Sequence, residues 1–445
     1  MATGSKVHLE ASQKPQYYVS GLRPESAEKT NQLLQTNHEE HHIFFNKSGF
    51  HNHIAHHLLT LFALNASPEE LQKAYDANAT YQRPPEPLKE SIVDDMHKPE
   101  RFKSYLGKEE YYHDFLVYFQ QEIDKNGWQG ALQEHLFAET EHADDMLVRM
   151  YAGFLHPIIH LGFGIEFQQP AIIAEALAQA AVHDNWMAPL FFGCEKAAKE
   201  SSGKDGSKKT IVQILEECKK DEKLSKAAQF KDGNKIREGI LKRAPEEMIK
   251  YATQYTVKEG ELEEKTAEMI NAAEATTVYY TAAAQRPPHQ IKFDFFYIHC
   301  VNSSIFFSAF LSPASSLSPS IQRRLLEWKI WNDITMYVSR GCPPFLINEI
   351  TSYAPTKDGS MDEIIKRVNN VEDDGHACKL VRAIAHAETV CKNWEKEGML
   401  IKGDMWRKIG HMALDSVEAG EPHWVRSCGF EEAWEKIPLR DGVKL

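Results

Sequence analysis

The chain has 445 residues, and 64 acidic against 51 basic side chains leave a formal charge of −13. That balance excludes nucleic acid and an anionic membrane surface as main partners, since both need clustered positive charge. With 42% hydrophobic and 26% charged residues the composition is globular. No apolar run approaches the roughly 20 residues of a membrane span.

In chain order, residues 1–22 read as a polar N-terminal extension without a signal-peptide apolar region, which predicts a cytoplasmic protein. Residues 23–445 read as one helical domain. His51, His53, His56 and His57 open a helix continuing through Leu58, Leu59, Leu61 and Phe62. Ser67-Pro68-Glu69-Glu70 is a helix start, with serine as N-cap, proline in the first turn and glutamate at the third position. Apolar stripes predict further helices over residues 109–123, 147–156, 171–183, 211–217, 262–284, 293–310, 321–338, 375–394 and 405–417. The pairs Pro84-Pro85, Pro287-Pro288 and Pro343-Pro344 end helices. Residues 199–235, rich in Lys, Ser, Gly, Asp and Glu, read as a charged, solvated insertion with mobile flanks around one short helix. Strand alternation is scarce. The expected fold is mainly α: a large multi-helix single domain enclosing a buried site, with few or no strands.

The seven cysteines are widely spaced, with no C-x-x-C pair, and read as reduced thiols. The 21 histidines are the anomaly. His156 and His160 stand four apart, which places both rings on one helical face. His299 lies in the nearly all-apolar Phe295-Phe296-Tyr297-Ile298-His299-Cys300-Val301. His376 follows Asp373-Asp374-Gly375 and points into the apolar face of its helix, with Lys379 at that face's edge. Any one of these alone reads as a satisfied core histidine. Six half-buried imidazoles, His53, His56, His156, His160, His299 and His376, each need a partner or cost about 1–3 kcal/mol. One shared metal satisfies several at once. Few carboxylates accompany them, which disfavours magnesium and calcium and favours iron, zinc or copper. A buried, neutral Lys379 can react with carbon dioxide to a carbamate and so supply an oxygen ligand. The simpler reading pairs Lys379 with Asp373, Asp374 or Glu166.

Other patterns carry less. Two E-x-x-H motifs, Glu39/His42 and Glu139/His142, sit in very polar surroundings and do not make a di-iron bundle signature. Gly162-Phe163-Gly164 lacks the third glycine and the βαβ unit of a dinucleotide site. Glu166 reads either as an outer carboxylate of the histidine site or as a helix-end charge. Aromatic residues flank the histidines and mostly read as core, a subset of them as walls for a flat apolar ligand.

Taken together, His51-Asn52-His53-Ile54-Ala55-His56-His57-Leu58-Leu59, His156-Pro157-Ile158-Ile159-His160-Leu161-Gly162 with Glu166, His299 in its aromatic helix, and Asp373-Asp374-Gly375-His376-Ala377-Cys378-Lys379 resemble the questin oxidase-like family of polyketide-tailoring enzymes. The resemblance implies oxidative opening of an anthraquinone ring by a Baeyer–Villiger-type oxygen insertion, with O2 as co-substrate and NADPH as the described reductant. It also implies a histidine-rich non-heme iron centre with a modified lysine. The resulting expectation is an oxygenase with one Fe(II) held by four of the six histidines and carbamylated Lys379, with His299, Lys379 and Glu166 as catalytic residues and an aromatic polyketide as substrate. No nucleotide site is visible for NADPH. Three alternatives stand beside it. A metal-independent Baeyer–Villiger-type monooxygenase would use the histidines as bases. A helical non-catalytic protein would bind aromatic ligands or act as a scaffold. A zinc hydrolase is disfavoured by the lack of a general-base glutamate motif. The oligomeric state is left open.

Overall fold

The computed structural model describes residues 1–201, 209–258, 260–270, 277–312, 315–395 and 400–440. Helices dominate, and among the described residues the β structure is confined to isolated bridges such as Phe44 with His51. The chain is therefore mainly α, as its periodicity predicts. It divides into two compact units, Met1–Met187 with Asn369–Arg382, and Ala188–Val368 with Ala383–Leu445.

The first unit is built around helices that are apolar nearly all round. Ile54–Ala63 is buried at every position, and Pro170–Val182 at every position after its proline. Such helices are stable only inside a core, with other helices covering each face. Pro68–Ala79 starts with the expected capping box, Ser67 accepting from the Glu70 amide while Glu70 accepts from the Ser67 amide. The N-terminal residues are stitched into this unit. The Leu9 amide donates to Asn31 Oδ1 (2.6 Å), the His8 amide donates to Gln169 Oε1 (2.8 Å), and Val7 and Leu9 are buried.

The helix expected over residues 147–156 does not exist as one element. Glu141–Met150 ends at Tyr151, and Gly153, Phe154 and Leu155 take left-handed backbone at φ 53°, 57° and 71°. Regular helix resumes at His156 and runs to Glu166. Pro157 is thus in a first turn, where a missing N–H costs no hydrogen bond. An apolar stripe does not register such a break, because Leu155 within it and Ala152 and His156 on either side are all buried.

In the second unit, Phe295–Phe310 and Pro319–Ser339 are largely buried. Asp294 caps the former through the Phe296 and Tyr297 amides, and Ser318 caps the latter. The segment expected as a solvated insertion is packed instead where it is described. Ile214, Leu215, Cys218 and Leu224 are fully buried, and its helix is Ile211–Lys220, capped by Thr210. Lys219 and Lys220 lie in the last turn of that amphipathic helix, whose apolar face composition alone does not register. Residues 202–208 of that segment, and 271–276 of the helix expected over 262–284, lie outside the described residues. All seven cysteines are free and buried.

Candidate metal centre

The site is assembled from three stretches of the first unit. His53 precedes Ile54–Ala63, and His56 and His57 lie inside it. His156 and His160 lie on Ala152–Glu166, and His376 begins His376–Cys391. The Asp373-Asp374-Gly375 turn divides its work. Asp373 caps the helix, accepting from the Gly375 and Ala377 amides, both at 2.8 Å. Asp374 bridges two imidazoles, its Oδ2 3.0 Å from His53 Nδ1 and its Oδ1 2.5 Å from His376 Nδ1. Gly375 has φ +87°, and a Cβ there would stand 2.7 Å from His57 Cβ, so only glycine lets this turn seat against the histidine helix.

The tautomers follow from the acceptors. His53 Nδ1 faces a carboxylate, and His156 Nδ1 faces the Gly153 carbonyl at 2.5 Å, so both nitrogens carry the proton. Their Nε2 atoms then hold lone pairs, yet stand only 2.7 Å apart. Two lone pairs at that separation repel unless a cation lies between or beside them. Burial, with Lys379 adding to it, lowers the His53 pKa to about 3, which disfavours an extra proton as that cation. Two nitrogens bound cis to one metal at about 2.1 Å stand about 3 Å apart, close to the observed spacing. One ligand nitrogen each from His53, His156 and His376 lies within 4.8 Å of the others. Acceptor oxygens behind all three rings are the usual arrangement for orienting histidine ligands. The donor set thus fits a transition metal.

His56 and His160 form a second line. Glu175 Oε2 accepts from His160 Nε2 and its Oε1 from His38 Nδ1, both at 2.6 Å. His160 Nδ1 then accepts from His56 Nε2 at 3.0 Å, and His56 Nδ1 is buried without a hydrogen-bond partner. At the outer end Gln120 donates to His38 Nε2 (3.0 Å), beside a cleft of about 320 Å³ that Tyr112 also lines. Burial alone would raise the Glu175 pKa, but the hydrogen bonds from His160 and His38 hold it at about 2. His51 stacks on His156 with ring centroids 3.8 Å apart, and its Nε2 meets His183 Nε2 at 2.9 Å.

Lys379 is buried one turn after His376, and its Nζ makes no ion pair or hydrogen bond among the described residues. Burial lowers its pKa, against the opposing charges of Asp374 and Asp373. The pairing with Asp373, Asp374 or Glu166 offered by the simpler reading is absent.

Two expected residues are held by other partners. Glu166 is bound bidentately by Arg382, at 2.5 and 3.1 Å, and also accepts from the Gln16 amide. Its oxygens are committed to a buried ion pair, so the helix-end reading replaces the catalytic one. His299 belongs to the second unit, where its Nδ1 meets the Phe295 carbonyl at 2.6 Å. Neither E-x-x-H motif forms a di-iron pair: Glu39 accepts from Gln35, and His42 Nδ1 accepts from the Phe44 amide. Gly162 and Gly164 lie within a helix. The sequence reading missed Glu175, His38 and His183, and named His51 in its cluster without a role. Glu175 had a signal, as the one charged residue in the apolar helix PAIIAEALAQAAV.

The questin oxidase-like family profile matches residues 50–384. The chain is similar over 98% of its length to the Baeyer-Villiger monooxygenase dmxR6 of Cryptosporiopsis sp., at 37% identity and 99% coverage of that protein. It is 37% identical to the questin oxidase of Aspergillus terreus, covering 98% of each chain. With the Baeyer-Villiger oxidase mdpL of Emericella nidulans it shares 39% identity over 92% of this chain and 93% of the relative. No helix among the described residues is long and apolar enough to cross a membrane.

Proposed function

The chain belongs to the questin oxidase-like family of oxidoreductases, and on that premise we propose that it opens the quinone ring of a hydroxyanthraquinone-type polyketide with O2. We further propose that it does so at a mononuclear iron. The observation that carries the metal is the 2.7 Å approach of His53 Nε2 and His156 Nε2, both with lone pairs.

His53, His156 and His376 would hold the ion, with Lys379 as its carbamate for an oxygen donor. Bound Fe(II), with unpaired electrons of its own, would relieve the spin mismatch between a spin-paired substrate and triplet O2. Asp374 and the Gly153 carbonyl fix the three rings from behind, so that no reorganisation is needed when substrate enters. His56 Nδ1, which lacks a partner, can take the proton of a substrate hydroxyl. The hydrogen bonds from His56 Nε2–H to His160 Nδ1 and from His160 Nε2–H to the anionic Glu175 hold His56 in the tautomer whose Nδ1 accepts, and stabilise the imidazolium that forms. The negative charge of Glu175 is spread between His160 and His38. The burial of this line excludes water from the developing quinone anion.

The number of oxygen atoms inserted decides whether a reductant is needed. Insertion of one oxygen atom beside the carbonyl requires two electrons, from NADPH, to reduce the other atom to water. Insertion of both atoms requires no reductant. The base line of His56 also serves the metal-independent reading, so the two are separated by metal analysis of freshly purified protein run beside oxygen uptake with a hydroxyanthraquinone. Stoichiometric iron, uptake that falls with its removal, and a ring-opened product labelled from 18O2 are expected. Full uptake by metal-free protein would leave the bases alone as the mechanism, and no uptake with any quinone would reduce the protein to a binder.

A further inference from the structure

A second convergence of ligating side chains in the first unit shares no residue with the histidine centre. Helix Tyr112–Leu132 is interrupted at Gly127 (φ 70°, ψ 159°) and passes directly into the π-turn Gln133–Phe137. A π-turn is uncommon and is frequent at functional sites. Here it turns His135 inward to 2% exposure while Glu134 stays at the surface. Phe102 and Phe119 pack the imidazole, with ring centroids at 6.1 and 5.1 Å.

His135 Nδ1 meets His142 Nε2 at 2.8 Å, but His135 Nε2 is buried with no partner. The adjoining carboxylate, Glu122, is also buried. Its contacts, His97 Nδ1 and Asn126 Nδ2, both lie at 3.4 Å, the outer limit of a hydrogen bond. One donor atom from each of Glu122, Glu134 and His135 lies within 4.8 Å of the other two. A buried carboxylate with weak partners and a buried imidazole nitrogen with none are two independent deficits that the same cation would satisfy.

We propose that Glu122, Glu134 and His135 form a binding site for a divalent transition metal of the zinc class. The imidazole favours zinc over calcium or magnesium, whose ligands are oxygens. The two carboxylates neutralise the dication. With His135 Nδ1–H donated to His142, Nε2 keeps its lone pair and His142 fixes the ring's orientation. The ion ties the π-turn back to the helix that precedes it, so it acts as a clamp on this corner of the fold.

Zinc-edge anomalous diffraction from crystals of the full chain, grown with iron present and equimolar zinc, locates the ion. A peak bonded to His135 Nε2 at about 2.0–2.1 Å is expected. In solution, zinc titrations by calorimetry compare wild type with Glu134→Gln, an exposed change that spares the core, and with His135→Asn. Glu134→Gln should weaken this site about tenfold or more, and should remove the rise in Tm that zinc gives the wild type. No peak at His135, or isotherms and Tm shifts identical in wild type and Glu134→Gln, would overturn the site. Either failure leaves the iron reading untouched.

Discussion

The two units differ in how they bury polar groups. In the second unit the buried lysines meet an anion or carbonyls. Lys329 pairs with Asp333, and Lys292 donates to the Ser416 and Gly420 carbonyls. Asp294 accepts from four amides. In the first unit imidazole faces imidazole, His53 against His156, His56 against His160 and His51 against His183, while Lys379 has no partner among the described residues. Complementary burial is what a core requires. The facing lone pairs of His53 and His156 are stable only if a cation enters, and on that ground we place the proposed ion in the first unit.

Substitutions should separate the two patterns. The largest effect on function belongs to His156→Ala. It should lose iron by more than the about 10–100-fold typical of losing an outer partner, and turnover should fall to background while the helical signal by circular dichroism is kept. Lys329→Met should do the reverse. Leaving Asp333 buried and unpaired should cost about 3–5 kcal/mol in denaturant titrations, with iron content per folded chain unchanged. If both variants lose iron alike, the contrast between the units fails.

Asp374→Asn sharpens the role of the bridge between His53 and His376. Burial raises the Asp374 carboxyl, but His376 and His53 outweigh it and hold it well below the usual range. The neutral amide should weaken iron binding about 10–100-fold without unfolding the chain. Competition with a chelator of known affinity measures the difference, and equal affinities would remove Asp374 from the account. Gly153→Ala places a Cβ 2.7–2.9 Å from the His183 and His51 rings at φ +53°. It should cost about 1–3 kcal/mol or more, and should lower iron content as well, because the Gly153 carbonyl holds His156.

The last effect is on acid stability of the metal-free protein. Burial, with Arg83 and Arg149 respectively, lowers His42 and His183 to about 4, and burial with His142 lowers His135 to about 3. Below pH 6.5 the unfolded chain binds protons that these rings refuse in the fold. Their stability contribution is therefore present above pH 6.5 and lost as pH falls toward 4. Three such groups give a slope of up to about 4 kcal/mol per pH unit. A flat stability profile between pH 6.5 and 5 would show that these rings titrate normally.

Much of this was legible in the sequence, and the rest was not for a physical reason. The helices announced themselves by apolar stripes, the shared face of His156 and His160 by their spacing, and the tight turn before His376 by Asp-Asp-Gly. These are local signals. The bridge from His53 to Asp374 joins residues 321 apart, and no local pattern carries it. The left-handed turn at Gly153 is set by what His183 and His51 leave room for, and Glu166 looked like a site carboxylate because Arg382, 216 residues away, was invisible as its partner.

The most direct test is oxygen uptake with a hydroxyanthraquinone by protein stripped of metal and then reloaded with Fe(II) under anaerobic conditions. The account predicts uptake near zero in the stripped protein, restored by Fe(II) in the wild type and not in His156→Ala. Undiminished uptake by the stripped wild type would contradict it.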